Sequence, residues 1–229
     1  NIDITMLKKQ LIVAYPIAIQ EFLVMLSLTI FYKIIAVIGI LQLAATQIIF
    51  KIMHASFMPA LGVGQACSTL VSKYMGEKRP DRSETSIKES IRLAQYIMST
   101  MGISFILFPR FYLLIFTNDP EIIEIGVFGL LMIGAVQFLD AIGFVLWFAL
   151  SGAGNTVFPA VVESCLTWVV IVLGSYVFGI IFQMGFKVLW LLFPLYMALF
   201  AGIMTWKVSR GDWKKIPVSY THLRAHETS

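Results

Sequence analysis

Long apolar runs separated by short polar turns dominate the pattern of this chain. A membrane-spanning helix needs about 20 apolar residues to cross a hydrocarbon core of about 30 Å. Six segments are long enough, and they run approximately over residues 11–38, 42–75, 86–116, 121–150, 157–182 and 187–207. Because polar and apolar residues do not alternate within them, helices are favoured over barrel strands. The pattern therefore predicts an all-α bundle of six transmembrane helices.

The composition supports a polytopic membrane protein. Apolar residues make up 59% of the 229 residues and charged residues only 13%, whereas about a quarter of the residues in soluble domains are charged. A soluble domain of this length could not bury so much apolar surface. Cys67 and Cys165 both fall in apolar runs, so they indicate neither a disulfide framework nor a zinc site.

The basic residues predict an orientation in the membrane. If the N-terminal end is cytoplasmic, the outer loops hold only Arg110 and Lys187 as basic residues. The inner segments then hold Lys8, Lys9, Lys73, Lys78, Arg79, Arg82, Lys88, Arg92, Lys207, Arg210, Lys214 and Lys215. The positive-inside rule therefore predicts a multi-pass protein of the inner or plasma membrane with both ends cytoplasmic. The net charge of +4 is assigned to topology rather than to nucleic-acid binding.

Both ends of the sequence are unusual. The chain begins at Asn1 rather than Met, so we expect further sequence upstream. The last twelve letters, VSYTHLRAHETS at 218–229, resemble the translated read-through of a sequencing adaptor. We therefore expect a transmembrane lobe over 1–217 and a non-native tail after it; a short polar cytoplasmic tail is the alternative.

Ionisable side chains inside the predicted helices are the candidate functional residues, because a charge at the centre of a span costs a few kcal/mol. Asp140 and Glu21 lie roughly 16 and 15 Å from the inner ends of their spans, and Lys51 lies at a similar depth. Glu163 is shallower. These residues could form one polar centre, or Lys51 and Glu21 could be an internal ion pair that only holds helices together.

Further polar side chains adjoin this centre and are candidates for lining a substrate cavity. They are Gln20, Lys51, His54, Gln137 and Glu163. His54 shares a helix face with Lys51, and a lone histidine of this kind is more often a hydrogen-bonding residue than a ligand. We expect no metal site.

The chemistry available to buried carboxylates is typical of transporters. A desolvated carboxylate can exchange a proton, and an ionised one can hold a sodium ion or attract a cationic substrate. The sequence has no HExxH, P-loop or G-x-S-x-G motif, so an enzyme is not favoured. The enzyme alternative is an intramembrane acid pair formed by Asp140 and Glu21. A non-catalytic membrane scaffold is a further alternative, and it requires a partner for every deep charge.

Four stretches together resemble the MATE (multidrug and toxic compound extrusion) transporters. The seventh helix of that family is similar to LIVAYPIAIQEFL. Its eighth helix, together with the loop that follows, is similar to ASFMPALGVGQACSTLVSKYMGEKRPDR. The loop between helices nine and ten is similar to LFPRFYLLIFTNDPEIIE, and the tenth helix with its turn to QFLDAIGFVLWFALSGAGNTVFP. The resemblance covers almost everything from about residue 7 to 216.

The resemblance implies an architecture and a function. Such transporters have twelve helices in two six-helix lobes, so this chain would be the C-terminal lobe and its partner a missing N-terminal lobe. Asp140 matches the helix-ten acid that takes part in cation binding in sodium-coupled relatives. Glu21 lies only five residues past Pro16, whereas the helix-seven acid of relatives lies further along, and Lys51 stands where many relatives have arginine.

The expected function is a secondary antiporter in the lipid membrane. It would export cationic or amphipathic small molecules, driven by a sodium or proton gradient, with no cofactor besides the coupling ion. The alternative within the same superfamily is a flippase for lipid-linked precursors, which would need several cationic groups facing a diphosphate. The deep groups here lean acidic, with Glu21, Asp140 and Glu163 against Lys51, which favours a cationic substrate.

Overall fold

A computed structural model describes residues 4–215 of this chain, and within that range every regular element is a helix. The helices are α1 (Ile4–Ile38), α2 (Ile40–Gly76), α3 (Pro80–Leu107), α4 (Pro109–Leu114), α5 (Pro120–Gly152), α6 (Val157–Leu166) and α7 (Phe186–Ser209). Helix α6 continues as two π-helical segments, Thr167–Leu173 and Tyr176–Ile181, and a short 3₁₀ turn, Asp212–Lys215, follows α7. The all-α fold is confirmed, and the tail at 218–229 lies outside the described residues.

Five stretches of this part of the chain are long and apolar enough to cross a membrane. They are Ala18–Ile38, Ile40–Gly76, Pro120–Gly152, Val157–Ile181 and Phe186–Ser209. The third predicted segment, 86–116, differs, because its helices α3 and α4 meet at a break at Phe108. The first half of α3 also carries charged side chains, which lowers its hydropathy below that of the other spans.

Local sequence signals explain where several helices begin. The side chain of Asp119 accepts a hydrogen bond from the backbone N–H of Glu121 (2.9 Å) and so caps α5, and Pro120 occupies the first helical turn. Such a cap satisfies one of the N–H groups that a helix start leaves without a partner. Pro80 begins α3 in the same manner after the polar turn GEKR. Proline at the start of a helix loses no hydrogen bond.

Helix α5 lies at the centre of the bundle and packs very closely against α3. A Cβ atom added to Gly102 would lie 2.6 Å from the carbonyl oxygen of Gly134, and one added to Gly134 would lie 2.8 Å from the carbonyl oxygen of Gly102. Two glycines facing each other let the helix backbones approach, as small residues do in membrane bundles. This contact fixes the position of α5 and therefore of the residues that it carries.

The buried side chains form two apolar clusters with a polar layer between them. One cluster is rich in aromatic residues and includes Phe31, Phe105, Trp190 and Phe193. The other is rich in alanine and includes Ala60, Ala94, Ala141, Ala149 and Met204. Between the two clusters the helices carry buried or half-buried polar side chains. We call them the polar layer: Gln20, Ser56, Gln137, Asp140, Glu163 and Thr167.

The turn between α2 and α3 and the segment after α7 meet at the same end of the bundle, which we call the basic end. The ammonium of Lys214 contacts the carboxylate of Glu84 at 2.6 Å, and Lys88 contacts the same carboxylate at 2.9 Å. Trp213 is buried, and its indole N–H donates to the carbonyl oxygen of Val208 (3.0 Å). That this end faces the cytoplasm remains a prediction of the positive-inside rule.

Candidate functional site

Asp140 is the deepest acid of the polar layer and has an oxygen atom without a partner. Its side chain is 8% exposed, and its Oδ2 makes no hydrogen bond. None of the ion pairs within the described part of the chain involves it. Because an unpaired carboxylate is expensive to bury, Asp140 is suited to take up a proton or a cation.

Glu163 on α6 lies within electrostatic range of Asp140 and extends the acidic site across the bundle. The side-chain amide of Gln20 on α1 donates from Nε2 to Oε2 of Glu163 at 2.7 Å. Gln20 is buried, and its own Oε1 has no hydrogen-bond partner. Two buried oxygen acceptors, one on Asp140 and one on Gln20, are therefore unsatisfied in the same layer. Buried polar atoms are rarely left without a partner.

Gln137 connects the polar layer to α2, and its predicted place in a substrate cavity remains a prediction. It is buried, and its Nε2 donates to the hydroxyl oxygen of Ser56 at 3.0 Å. Ser56 in turn donates to the carbonyl oxygen of Met53 at 2.7 Å. Since Gln137 lies one helical turn before Asp140 on α5, this bond holds the face of α5 that presents Asp140.

Thr167 of the polar layer and Tyr196, which the sequence did not single out, lie close to the two acids. Thr167 begins the first π-helical segment and donates its hydroxyl to the carbonyl oxygen of Glu163 at 2.7 Å. Tyr196 on α7 lies beside Thr167 and within electrostatic range of both Asp140 and Glu163. The only available signal was a tyrosine two residues after Pro194 in an apolar helix, and this signal does not reveal which way the ring faces.

Glu21, Lys51 and His54 lie on exposed faces of their helices. Successive residues of an α-helix are turned by about 100°, so the buried position on α1 falls to Gln20 and its neighbour Glu21 points outward. Glu21 remains within electrostatic range of Glu163. The alternative ion pair of Lys51 with Glu21 is not among the ion pairs of residues 4–215. Depth along the chain was therefore insufficient to place these side chains together.

A cleft between α1 and α6 reaches the polar layer. It has a volume of about 380 Å³, and its walls are mostly apolar, with Tyr15, Leu23 and Val161 among them. Gln20 also lines this cleft, and the amide of Gln20 binds Glu163. Neither Asp140 nor Glu163 lines the cleft, which approaches the acidic site through the Gln20 amide.

The arrangement offers oxygen atoms and negative charge without a basic partner. Among the described residues no group of three or more His, Cys, Asp and Glu side chains could hold a metal ion. Two carboxylates together with amide and hydroxyl oxygens suit a proton or a single hard monovalent cation. Ionisable groups placed in this way in a membrane bundle mark ion or substrate pathways.

The helices and the buried acidic layer define a multi-pass membrane protein with the features of a transporter. The family model MatE matches residues 16–177. The chain therefore belongs to the MatE family, whose members are membrane transporters and not enzymes.

Curated relatives carry the name probable multidrug resistance protein NorM. The protein of Thermotoga maritima is 33% identical over 184 residues, which are 80% of this chain and 40% of that protein. The protein of Shewanella oneidensis is 28% identical over 155 residues, which are 67% of this chain and 34% of that protein. The chain thus spans about 40% or less of the length of these relatives.

Solved structures share the fold. An outward-facing multidrug resistance MATE family transporter of the MOP superfamily matches with a TM-score of 0.85 and 18% identity, over 94% of this chain and 49% of that one. A MOP superfamily transporter from Pyrococcus furiosus matches with a TM-score of 0.84 and 19% identity, over 94% of this chain and 49% of that one. The fold of this chain is therefore that of half a MATE transporter.

Proposed function

We propose that the chain is the C-terminal lobe of a secondary antiporter that exports cationic or amphipathic small molecules in exchange for sodium ions or protons. The names of the NorM relatives support multidrug efflux. The observation that carries the proposal is the buried, unpartnered carboxylate oxygen of Asp140 beside Glu163, with no basic residue among its described contacts. Such a site is suited to bind a cation.

The proposed mechanism is competition between the coupling cation and the substrate. A cation that binds Asp140 and Glu163 neutralises the layer and favours one arrangement of the lobe, whereas the cationic substrate favours the other arrangement. Because binding energies are linked, each ligand weakens the binding of the other by the same factor. Gln20 and Tyr196 supply further oxygen atoms, and the cleft between α1 and α6 reaches Gln20 from the surface.

The balance of charge also distinguishes substrate classes. A flippase for lipid-linked diphosphates needs cationic groups in the cavity, and the buried layer holds carboxylates instead. An intramembrane acid pair of Asp140 and Glu21 is disfavoured as well, since Glu21 is exposed while Asp140 is buried. The absence of an ion-pair partner for Asp140 within the described chain disfavours a purely structural scaffold.

The test is transport by the complete protein reconstituted in liposomes. With an inward gradient of sodium ions or of protons, efflux of a fluorescent cationic dye is measured for the wild type and for Asp140→Asn. We expect the substitution to abolish ion-driven efflux. The matched control is Glu124→Gln, which removes an exposed acid from the same helix, paired with Arg110.

The control variant is expected to transport like the wild type. Ion-driven efflux at the wild-type rate by Asp140→Asn would remove Asp140 from the mechanism. Loss of efflux in both variants would point to a defect of folding rather than of coupling, and the thermal stability of each purified variant distinguishes the two cases.

A further inference from the structure

A groove between α2 and α3 has the features of a lipid site and plays no part in the proposed cation coupling. Its volume is about 730 Å³. Along α2 it extends from Pro59 to Tyr74, a length of about 22 Å at a rise of about 1.5 Å per residue. One leaflet of the hydrocarbon core is about 15 Å thick, so the groove can hold an acyl chain together with the start of a headgroup.

Small and aliphatic side chains form the deep part of the groove. On α2 they are Gly62, Ala66 and Leu70, and Leu93 faces them from α3. All four are exposed in the lobe. A Cβ atom added to Gly62 would meet nothing within 4 Å, so the missing side chain leaves an open channel in the surface of α2. An extended hydrocarbon chain is complementary to such a channel.

Arg82 lines the mouth of the groove, and Lys73 lies beside the mouth, next to the Tyr74 ring. The guanidinium of Arg82 and the ammonium of Lys73 each lie 5.9 Å from the centre of the Tyr74 ring. Neither Lys73 nor Arg82 belongs to an ion pair within the described part of the chain. The acid in the groove, Glu89, is already bound to Arg92 at 2.7 Å. The mouth therefore has two basic groups outside any ion pair of the described chain, whereas the acid that lines the groove is already paired.

We propose that this groove binds one anionic phospholipid, with its phosphate between Lys73 and Arg82 and an acyl chain along Gly62 and Ala66. The basic end of the bundle is where the positive-inside rule places the cytoplasmic leaflet. Anionic lipids are concentrated in that leaflet, and basic pockets between helices bind their headgroups. The site lies on α2 and α3, apart from the acids of α5 and α6, so it does not depend on the proposed cation site.

The test is native mass spectrometry of the complete, delipidated protein with phosphatidylglycerol or phosphatidylcholine added. We expect one phosphatidylglycerol to bind at least about tenfold more tightly than phosphatidylcholine. The double variant Lys73→Gln/Arg82→Gln should lose this preference. Its control, Arg110→Gln/Lys187→Gln, removes the same charge from the other end of the lobe and should keep it.

A second pair of variants tests the acyl channel. Gly62→Phe should fill the channel and weaken phosphatidylglycerol binding about tenfold without lowering the melting temperature. Gly202→Phe, at another helical glycine with open space around it, should bind like the wild type. The proposal is overturned if both lipids bind equally, or if neither the charge variant nor Gly62→Phe changes binding. It is also overturned if Gly62→Phe destabilises the complete protein, because another protein segment would then occupy the groove.

Discussion

The polar layer and the basic end differ in whether their acidic side chains contact a basic partner. At the basic end Glu84, Glu89 and Asp212 are partly or largely exposed, and each contacts a lysine or an arginine. In the polar layer Asp140 is buried and Glu163 half-buried; they lie near each other and have no basic partner within the described chain. Water can solvate an unpaired acid at the surface, but it solvates one inside the bundle much less. Stability alone does not explain an unpaired acid inside the bundle, and the proposed cation site accounts for it.

After Asp140→Asn, the largest expected effect comes from removing Glu163, the half-buried second acid of the polar layer. Glu163→Gln keeps an oxygen that can accept the hydrogen bond of Gln20 but removes the negative charge. We expect ion-driven efflux by the complete protein to fall about tenfold, within the 5- to 150-fold span that is typical of coupling energies. Glu21→Gln removes a nearby but exposed acid and should change efflux by less than about threefold. Equal loss in the two variants would contradict the distinction between buried and exposed acids.

The next effect concerns the packing that holds the polar layer in place. In Gly102→Ala the new methyl group would lie 2.6 Å from the carbonyl oxygen of Gly134, and a backbone atom cannot move aside easily. We expect a loss of about 1–3 kcal/mol of stability, seen as a lower melting temperature of the purified protein in detergent. Gly202→Ala meets no atom within 4 Å and should be neutral or slightly stabilising. Equal melting temperatures of both variants would show that the contact of α3 with α5 is loose.

The smallest effect is expected at the basic end. Hydrogen bonds from Lys214 and Lys88 lower the pKa of Glu84 from 4.5 to about 2. Since the folded-state pKa is below the unfolded value, the pair stabilises the protein above pH 4.5, and this contribution is lost as the pH falls toward 2. Because the group is exposed, the contribution is below about 1 kcal/mol.

The measurement is the melting temperature of Glu84→Gln and of the wild type between pH 3 and 7. We expect a small deficit of the variant at pH 7 that shrinks steadily below pH 4.5 toward pH 3. A deficit that grows on acidification would contradict the assignment of the pair. Transport should be unaffected, because Glu84 lies outside the polar layer.

Several features were predictable from the sequence because they depend on residues near each other in the chain. Long apolar runs give the helices, and the break at TNDP follows from Asp119 and Pro120. Asp140 was identifiable as a deep acid by counting along its helix. The prediction of one continuous third span over 86–116 was less accurate, because Pro109 starts a separate short helix. The charged side chains of α3 also shorten the apolar part of that helix.

The composition of the site was less predictable because it depends on helix rotation and on distant contacts. Gln20 and Glu163 are 143 residues apart and meet only because α1 packs against α6. Whether Gln20 or Glu21 faces inward depends on a rotation of about 100° that hydropathy did not resolve. Lys51 has a suitable depth but lies on the exposed face of α2. Depth is a property of one helix, whereas a site requires the packing of several.

Direct cation binding tests the central claim that the buried, unpaired acids hold the coupling ion. Radioactive sodium binding to the purified complete protein is measured, together with the protons released when a cationic substrate is added. We expect the wild type to bind sodium or to release protons, and Asp140→Asn to do neither. If Asp140→Asn binds sodium and releases protons as the wild type does, the coupling ion is held elsewhere and the account is wrong.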